Sequence, residues 1–126
     1  MPLVRIDFPA GRLAEYRAAA GEAIQQAMHS VFKVSLKERF HIFTEHAPAG
    51  LVIDQTYLGI ERSADAIVVQ VTLNESRDAD VKRSFYRALA DGLRERVGLR
   101  LEDLVVNLVE VKRENWSFGD GNAQLV

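Results

Sequence analysis

The 126-residue chain contains no cysteine, which excludes disulfide frameworks, thiol nucleophiles and thiolate-based zinc sites together. It also lacks a long basic run and carries a formal net charge of −2. The phosphate-driven attraction behind nucleic-acid binding therefore has no footprint, and nucleic acid is not expected as a partner. The opening MPLVRIDFPAGR is too charged and too poor in apolar residues for a signal peptide or membrane span, so a cytoplasmic protein with no membrane partner is expected. Histidines are few. His41 and His46 lie at odd separation on a strand-like stretch and should face opposite ways, and His29 stands apart; no metal or other cofactor is expected.

What is present, 48% hydrophobic and 27% charged residues, matches one soluble globular domain spanning residues 1–126. So small a domain leaves sheet surface to be covered, and burial between subunits is the natural cover.

Residues 2–46 lie on residues 67–111 without a gap, at the offset of 65 that separates Arg12 from Arg77. Each copy opens on a strand-forming apolar run, Leu3 to Phe8 and Ile67 to Leu73. Three- and four-residue spacings then predict amphipathic helices: Leu13, Tyr16, Ala20, Ala23, Ile24, Ala27 and Val31 in the first copy, Val81, Phe85, Ala88, Leu89 and Leu93 in the second. Ser76 is the candidate N-cap of the second helix, with Asp78 and Asp80 facing its dipole and Gly98 beyond its last turn. Linkers 34–38 and 99–103 lead to strands at Arg39 to Thr44 and Leu104 to Val111.

The expected fold is therefore α+β: two β-α-β repeats forming one four-stranded mixed sheet with two helices on one face. The connection 47–66 reads as a hairpin or irregular segment, and the tail 112–126 as an aromatic hairpin carrying Trp116 and Phe118. Arg5, Asp7, Gln70, Thr72 and Asn107 mark the helix-free face, where subunit contact with ordered polar pairing is expected.

Pro2 is the first candidate for chemistry. Removal of the initiator Met ahead of a small residue leaves a secondary amine, and strand parity places Pro2 with Val4, Ile6 and Phe8 in apolar surroundings. Desolvation and a nearby arginine lower the pKa of such an amine toward the range of a general base. Arg77, at the hand-over from strand to helix, offers a bidentate partner to a substrate carboxylate; the competing reading is a solvated cation in the helix's first turn. Glu38 orients water, takes a proton or merely pairs with Arg39. Trp116 and Phe118 lay aromatic area over a groove or pack in the core.

Met1-Pro2-Leu3, Glu38-Arg39-Phe40, the stretch Tyr57 to Ser63, Arg77 with Lys82 and Phe85-Tyr86, and the tail Asn115 to Gly119 with Gly121, Ala123 and Gln124 together resemble the tautomerase superfamily. Within it, they look most like the malonate semialdehyde decarboxylase-like group. The resemblance implies a fold of β-α-β units, a trimer or larger assembly with a homotrimer expected, Pro2 as catalytic amine, Arg77 as carboxylate binder and Trp116 with Phe118 as a hydrophobic wall. Glu38 stands where that decarboxylase has aspartate, and Glu75 where it has the first of two arginines.

The activity expected from this reading is cofactor-free tautomerisation of a small anionic keto or enol acid. Decarboxylase or hydratase chemistry on a 3-oxo acid, with Glu38 activating water, is the alternative. A non-enzymatic ligand-binding or assembly module is the third reading, because a split β-α-β pattern does not fix function.

Overall fold

A computed structural model of the chain describes residues 2–126. Strand β1 (Leu3–Pro9) leads into helix α1 (Tyr16–Phe32) and strand β2 (His41–His46); β3 (Ile67–Asn74), α2 (Ala79–Val97) and β4 (Leu104–Val111) repeat the unit. The sheet order is β2-β1-β3-β4, with β1 parallel to β2, β3 parallel to β4, and β1 antiparallel to β3. This is the four-stranded mixed sheet the repeat predicts.

The central pairing shows how the repeat closes on itself. Arg5 pairs with Gln70, its own counterpart at offset 65, so a pseudo-two-fold axis passes between them. The equivalence extends to single hydrogen bonds. Val34 N–H donates to the Met28 carbonyl and Leu99 N–H to that of Leu93; Glu38 N–H donates to Ser35 and Asp103 N–H to Arg100. Lys33 and Gly98, at matching positions, end the two helices with φ of 62° and 70°. Glycine enters that left-handed region freely, whereas Lys33 does so against its Cβ.

The core lies between the helices and one sheet face. Val4, Ile6, Phe8, Ile67, Val69, Val71 and Leu73 alternate inward along β1 and β3 and meet Ile24, Met28, Phe85, Leu89 and Leu93. The other face carries the predicted polar set, including a Gln70–Asn107 hydrogen bond of 3.0 Å.

Several local expectations are corrected. Leu13 lies ahead of α1 and is 80% exposed, so the helix begins at Tyr16. The α2 cap is Asp78, whose carboxylate accepts the Val81 N–H at 3.0 Å; Ser76 sits two residues too early to reach the orphan amides of the first turn. Strand β2 runs from His41 to His46, two residues later than predicted, because the turn at 35–38 extends the linker. The tail forms no paired strands. A 3-10 turn at Arg113–Asn115 is followed by a bend closed by Gln124, whose amide accepts from Phe118 N–H and donates to the Gly119 carbonyl. No helix among the described residues is long and apolar enough to cross a membrane.

Candidate active site

Pro2 is buried and shares the inward parity of Val4, Ile6 and Phe8. Its neighbours follow from register. Leu3 pairs with Thr72 on β3, and Val4 N–H donates to the Phe40 carbonyl at 2.9 Å, so β1 begins between the end of β3 and the entrance to β2. Met1, whose removal would free the Pro2 nitrogen, lies outside the described residues.

An aromatic bridge spans the sheet at this end. Trp116 Nε1 donates to Asn74 Oδ1 at 2.8 Å, at the end of β3. Phe118 stacks on Trp116 with ring centroids 5.1 Å apart and lies 5.7 Å from Phe40, at the start of β2. Because β1 runs between β3 and β2, the series from Asn74 through Trp116 and Phe118 to Phe40 crosses the strand that Pro2 opens.

Arg77 is held at the same end, ahead of the helix rather than in its first turn. Its guanidinium donates to the Asn74 carbonyl at 3.3 Å and the Phe32 carbonyl at 3.0 Å, and lies 5.0 Å from the Phe32 ring centroid. These partners orient the fork without neutralising it, and no carboxylate among the described residues pairs with it. Lys82, by contrast, is paired with Glu110 at 2.6 Å.

Glu38 closes the turn before β2, and its pairing with Arg39 does not form. Arg39 binds Glu22 at 3.1 Å instead, leaving the Glu38 carboxylate with no side-chain partner among the described residues. Its backbone carbonyl accepts from Gln25 Nε2 at 3.0 Å. The structure thus gathers Pro2, Arg77, Glu38, Trp116 and Phe118 at one end of the sheet.

The histidines point apart. His41 turns to α1, where it meets Gln25 Oε1 at 3.1 Å, while His46 turns to Asp7 on the other face at 2.6 Å. Burial, with Arg39 adding to it, pushes the His41 pKa down from 6.5 to about 4, so its ring is neutral near pH 7.

The pseudo-two-fold carries this site onto the opposite end of the sheet, where Ile67, Arg12 and Asp103 replace Pro2, Arg77 and Glu38. A cavity of about 480 Å³ opens there, lined in part by Arg12, Tyr16, Asp65, Arg100 and Asp103. Its Arg12 and Asp103 side chains are engaged. Arg12 is bonded to Asp65 at 2.8 Å, and the buried Asp103 carboxylate accepts the Ser63 N–H at 2.7 Å and hydroxyl at 2.6 Å.

Sequence reasoning missed Gln25 and Asn74. Gln25 signals itself as an uncharged polar residue on the apolar stripe of α1, next to Ile24 and two residues before Ala27. Asn74, a strand-terminal polar residue, carries no comparable signal; its role appears only when the tail folds back onto it.

Two family models described as tautomerase enzyme match the chain, over residues 38–119 and 2–60. The probable tautomerase YrdN of Bacillus subtilis is 34% identical over the whole chain and 97% of its own length. Malonate semialdehyde decarboxylase, whose structures are described as a basis for decarboxylase and hydratase activities, is 30% identical with a TM-score of 0.90, covering 98% of this chain and 95% of its own. A wild-type fused 4-OT solved as a symmetric trimer has a TM-score of 0.78 at 19% identity, over 95% of this chain and 94% of its own, a likeness of fold.

Proposed function

This chain belongs to the tautomerase superfamily of enzymes, and from that premise we propose that it performs cofactor-independent tautomerisation of a small keto or enol carboxylic acid with Pro2 as the proton carrier. The observation that carries this reading is the contrast in charge pairing: Arg77, just past the end of β3 and at the same end of the sheet as the buried Pro2, has no carboxylate partner among the described residues, while its counterpart Arg12 is paired with Asp65.

Once Met1 is removed, the Pro2 amine opens a strand whose inward positions are apolar, at the end of the sheet that carries the unpaired Arg77. Both conditions favour its neutral form, the form able to abstract a proton alpha to a carbonyl. Arg77 binds the substrate carboxylate or stabilises the developing enolate, and Pro2 returns the proton to the other end of the enolate. Trp116, Phe118 and Phe40 offer the substrate an aromatic wall at this end of the sheet. An anionic substrate suits one unpaired arginine; Glu75, two residues earlier and exposed, limits the negative charge the site tolerates.

A second reading has a specific observation in its favour. The unpaired Glu38 carboxylate suits water activation, and the likeness to a decarboxylase with hydratase activity points the same way. In that chemistry protonated Pro2 polarises a carbonyl while Glu38 directs water to it.

The oligomer belongs to the same proposal. Leu58 is 77% exposed and Tyr86 38%, and β2 and β4 leave open sheet edges; a homotrimer covers such surfaces, as in the trimeric relative of the same fold.

A panel of 2-hydroxydienoates, phenylenolpyruvate and 3-oxo acids, assayed with native protein and Pro2→Ala, tests both readings. Ketonisation of the enols with loss in Pro2→Ala supports tautomerisation; turnover confined to 3-oxo acids favours the second reading. Activity unchanged by Pro2→Ala contradicts both. Mass spectrometry of untagged protein checks the premise, since retained Met1 leaves an amide nitrogen at Pro2 that is no base.

A further inference from the structure

The turns 35–38 and 100–103 are the same turn in the two repeats, yet the acid that ends each is used differently. Asp103 anchors its turn through its carboxylate, which is buried and accepts the Ser63 N–H and hydroxyl. Glu38 is anchored through its backbone. The amide nitrogen of Gln25, on a fully buried side chain of α1, donates to the carbonyls of Ser35 at 2.9 Å and Glu38 at 3.0 Å. The counterpart of Gln25 in the second repeat is Ala90, which has no such group.

We propose that Gln25 is a positioning residue whose amide holds the 35–38 turn by its main chain, so that the Glu38 carboxylate stays unpaired at the Pro2 end of the sheet and available to water or a proton. This rests on the role given to Glu38 in the second reading above, beside that of Pro2.

The bonding order around Gln25 has only one consistent arrangement. Two carbonyls require the amide nitrogen to face the turn, so Oε1 faces His41 and accepts from its Nε2–H. That fixes the imidazole as the Nε2–H tautomer, and the depressed pKa of His41 keeps it neutral. Gly21 makes room for the ring: a Cβ there would come within 3.2 Å of His41 Nδ1. The same residues set the entrance to β2, because His41 pairs with Val4 and the Phe40 carbonyl binds Val4 N–H, two residues from Pro2. A shift of the turn therefore moves Glu38 relative to the amine, and an ångström at a reacting group is worth on the order of 10²-fold in rate.

The test uses full-length protein with its processed N-terminus, and compares Gln25→Met, Glu38→Gln and the double variant. Two readouts are taken: kcat and KM for the 3-oxo acid or phenylenolpyruvate that the native protein turns over, and the rate of Pro2 labelling by 3-bromopropiolate. Gln25→Met is expected to lower kcat about tenfold to 10²-fold with KM changed less than about twofold. In the Glu38→Gln background the same substitution is expected to cost less than about twofold, because the group it positions is already gone. Gln25→Asn, one methylene shorter, serves if Gln25→Met does not fold, with a smaller loss expected.

Equal losses in both backgrounds, or full activity in the Gln25 variants, overturn the proposal. A silent Glu38→Gln overturns it as well but leaves the Pro2 reading standing, because Pro2→Ala measures that separately.

Discussion

The two ends of the sheet are built from the same unit and differ in how their charges are paired. At one end Ile67 opens the strand, Arg12 is paired with Asp65, and Asp103 is buried under Ser63. At the other, Pro2 opens the strand, Arg77 has only carbonyl partners, and the Glu38 carboxylate is left without a side-chain partner among the described residues. Matching backbone geometry with opposite pairing of Arg12 and Arg77 teaches that one supersecondary unit can leave a charge compensated in one copy and uncompensated in the other. The 480 Å³ cavity lies at the Arg12 end, and concavity alone does not mark chemistry.

The comparison breaks most sharply at its first residue. Pro2→Ala is expected to lower tautomerase turnover by about 10²–10⁴-fold, the usual worth of a positioned acid or base, while the melting temperature changes little. Next is the arginine pair. Arg77→Ala should cost about 10²-fold in kcat/KM through a lost carboxylate or enolate contact, whereas Arg12→Ala should leave kcat/KM within about twofold. Equal effects from the two arginines would dissolve the distinction between the ends.

Ser63→Ala addresses the paired end directly. It removes a hydroxyl donor from the buried Asp103 carboxylate, so a loss of about 1.5–3 kcal/mol in unfolding free energy is expected by urea titration, with kcat unchanged. The smallest effect concerns His41. Its folded pKa of about 4 lies below the ordinary histidine value of 6.5, so the unfolded chain binds more protons between those values. The stability held above pH 6.5 is lost as pH falls toward 4, roughly 1–2 kcal/mol after allowance for partial exposure, and melting curves of a His41→Gln variant should lack that segment.

Much of this architecture was legible in the sequence because its signal is repeated. The apolar alternation of β1 and β3 and the stripe on α2 occur at one offset in both copies, and the same offset turns out to be the pairing register, Arg5 on Gln70. Boundaries were less legible, since they depend on single hydrogen bonds. Ser76 and Asp78 are both good caps by composition, and only the geometry of the first turn selects Asp78. The tail was legible as aromatic cover but not as a bend, because the Gln124 side chain replaces the strand pairing that a hairpin would supply. Among the candidate site residues, Pro2, Glu38, Arg77, Trp116 and Phe118 could be proposed from the chain, but their pairing states could not. Whether an arginine is free depends on residues far away in sequence, such as Asp65 for Arg12 and Phe32 for Arg77.

The central claim, that the Pro2 end is the reactive end, is tested most directly by labelling. Native protein treated with a 3-halopropiolate and mapped by peptide mass should carry the adduct on the Pro2 nitrogen, one per chain, at a rate unaffected by Arg12→Ala and strongly reduced by Arg77→Ala. Modification spread over lysines, or a Pro2 peptide that stays unmodified while activity is lost, would contradict it.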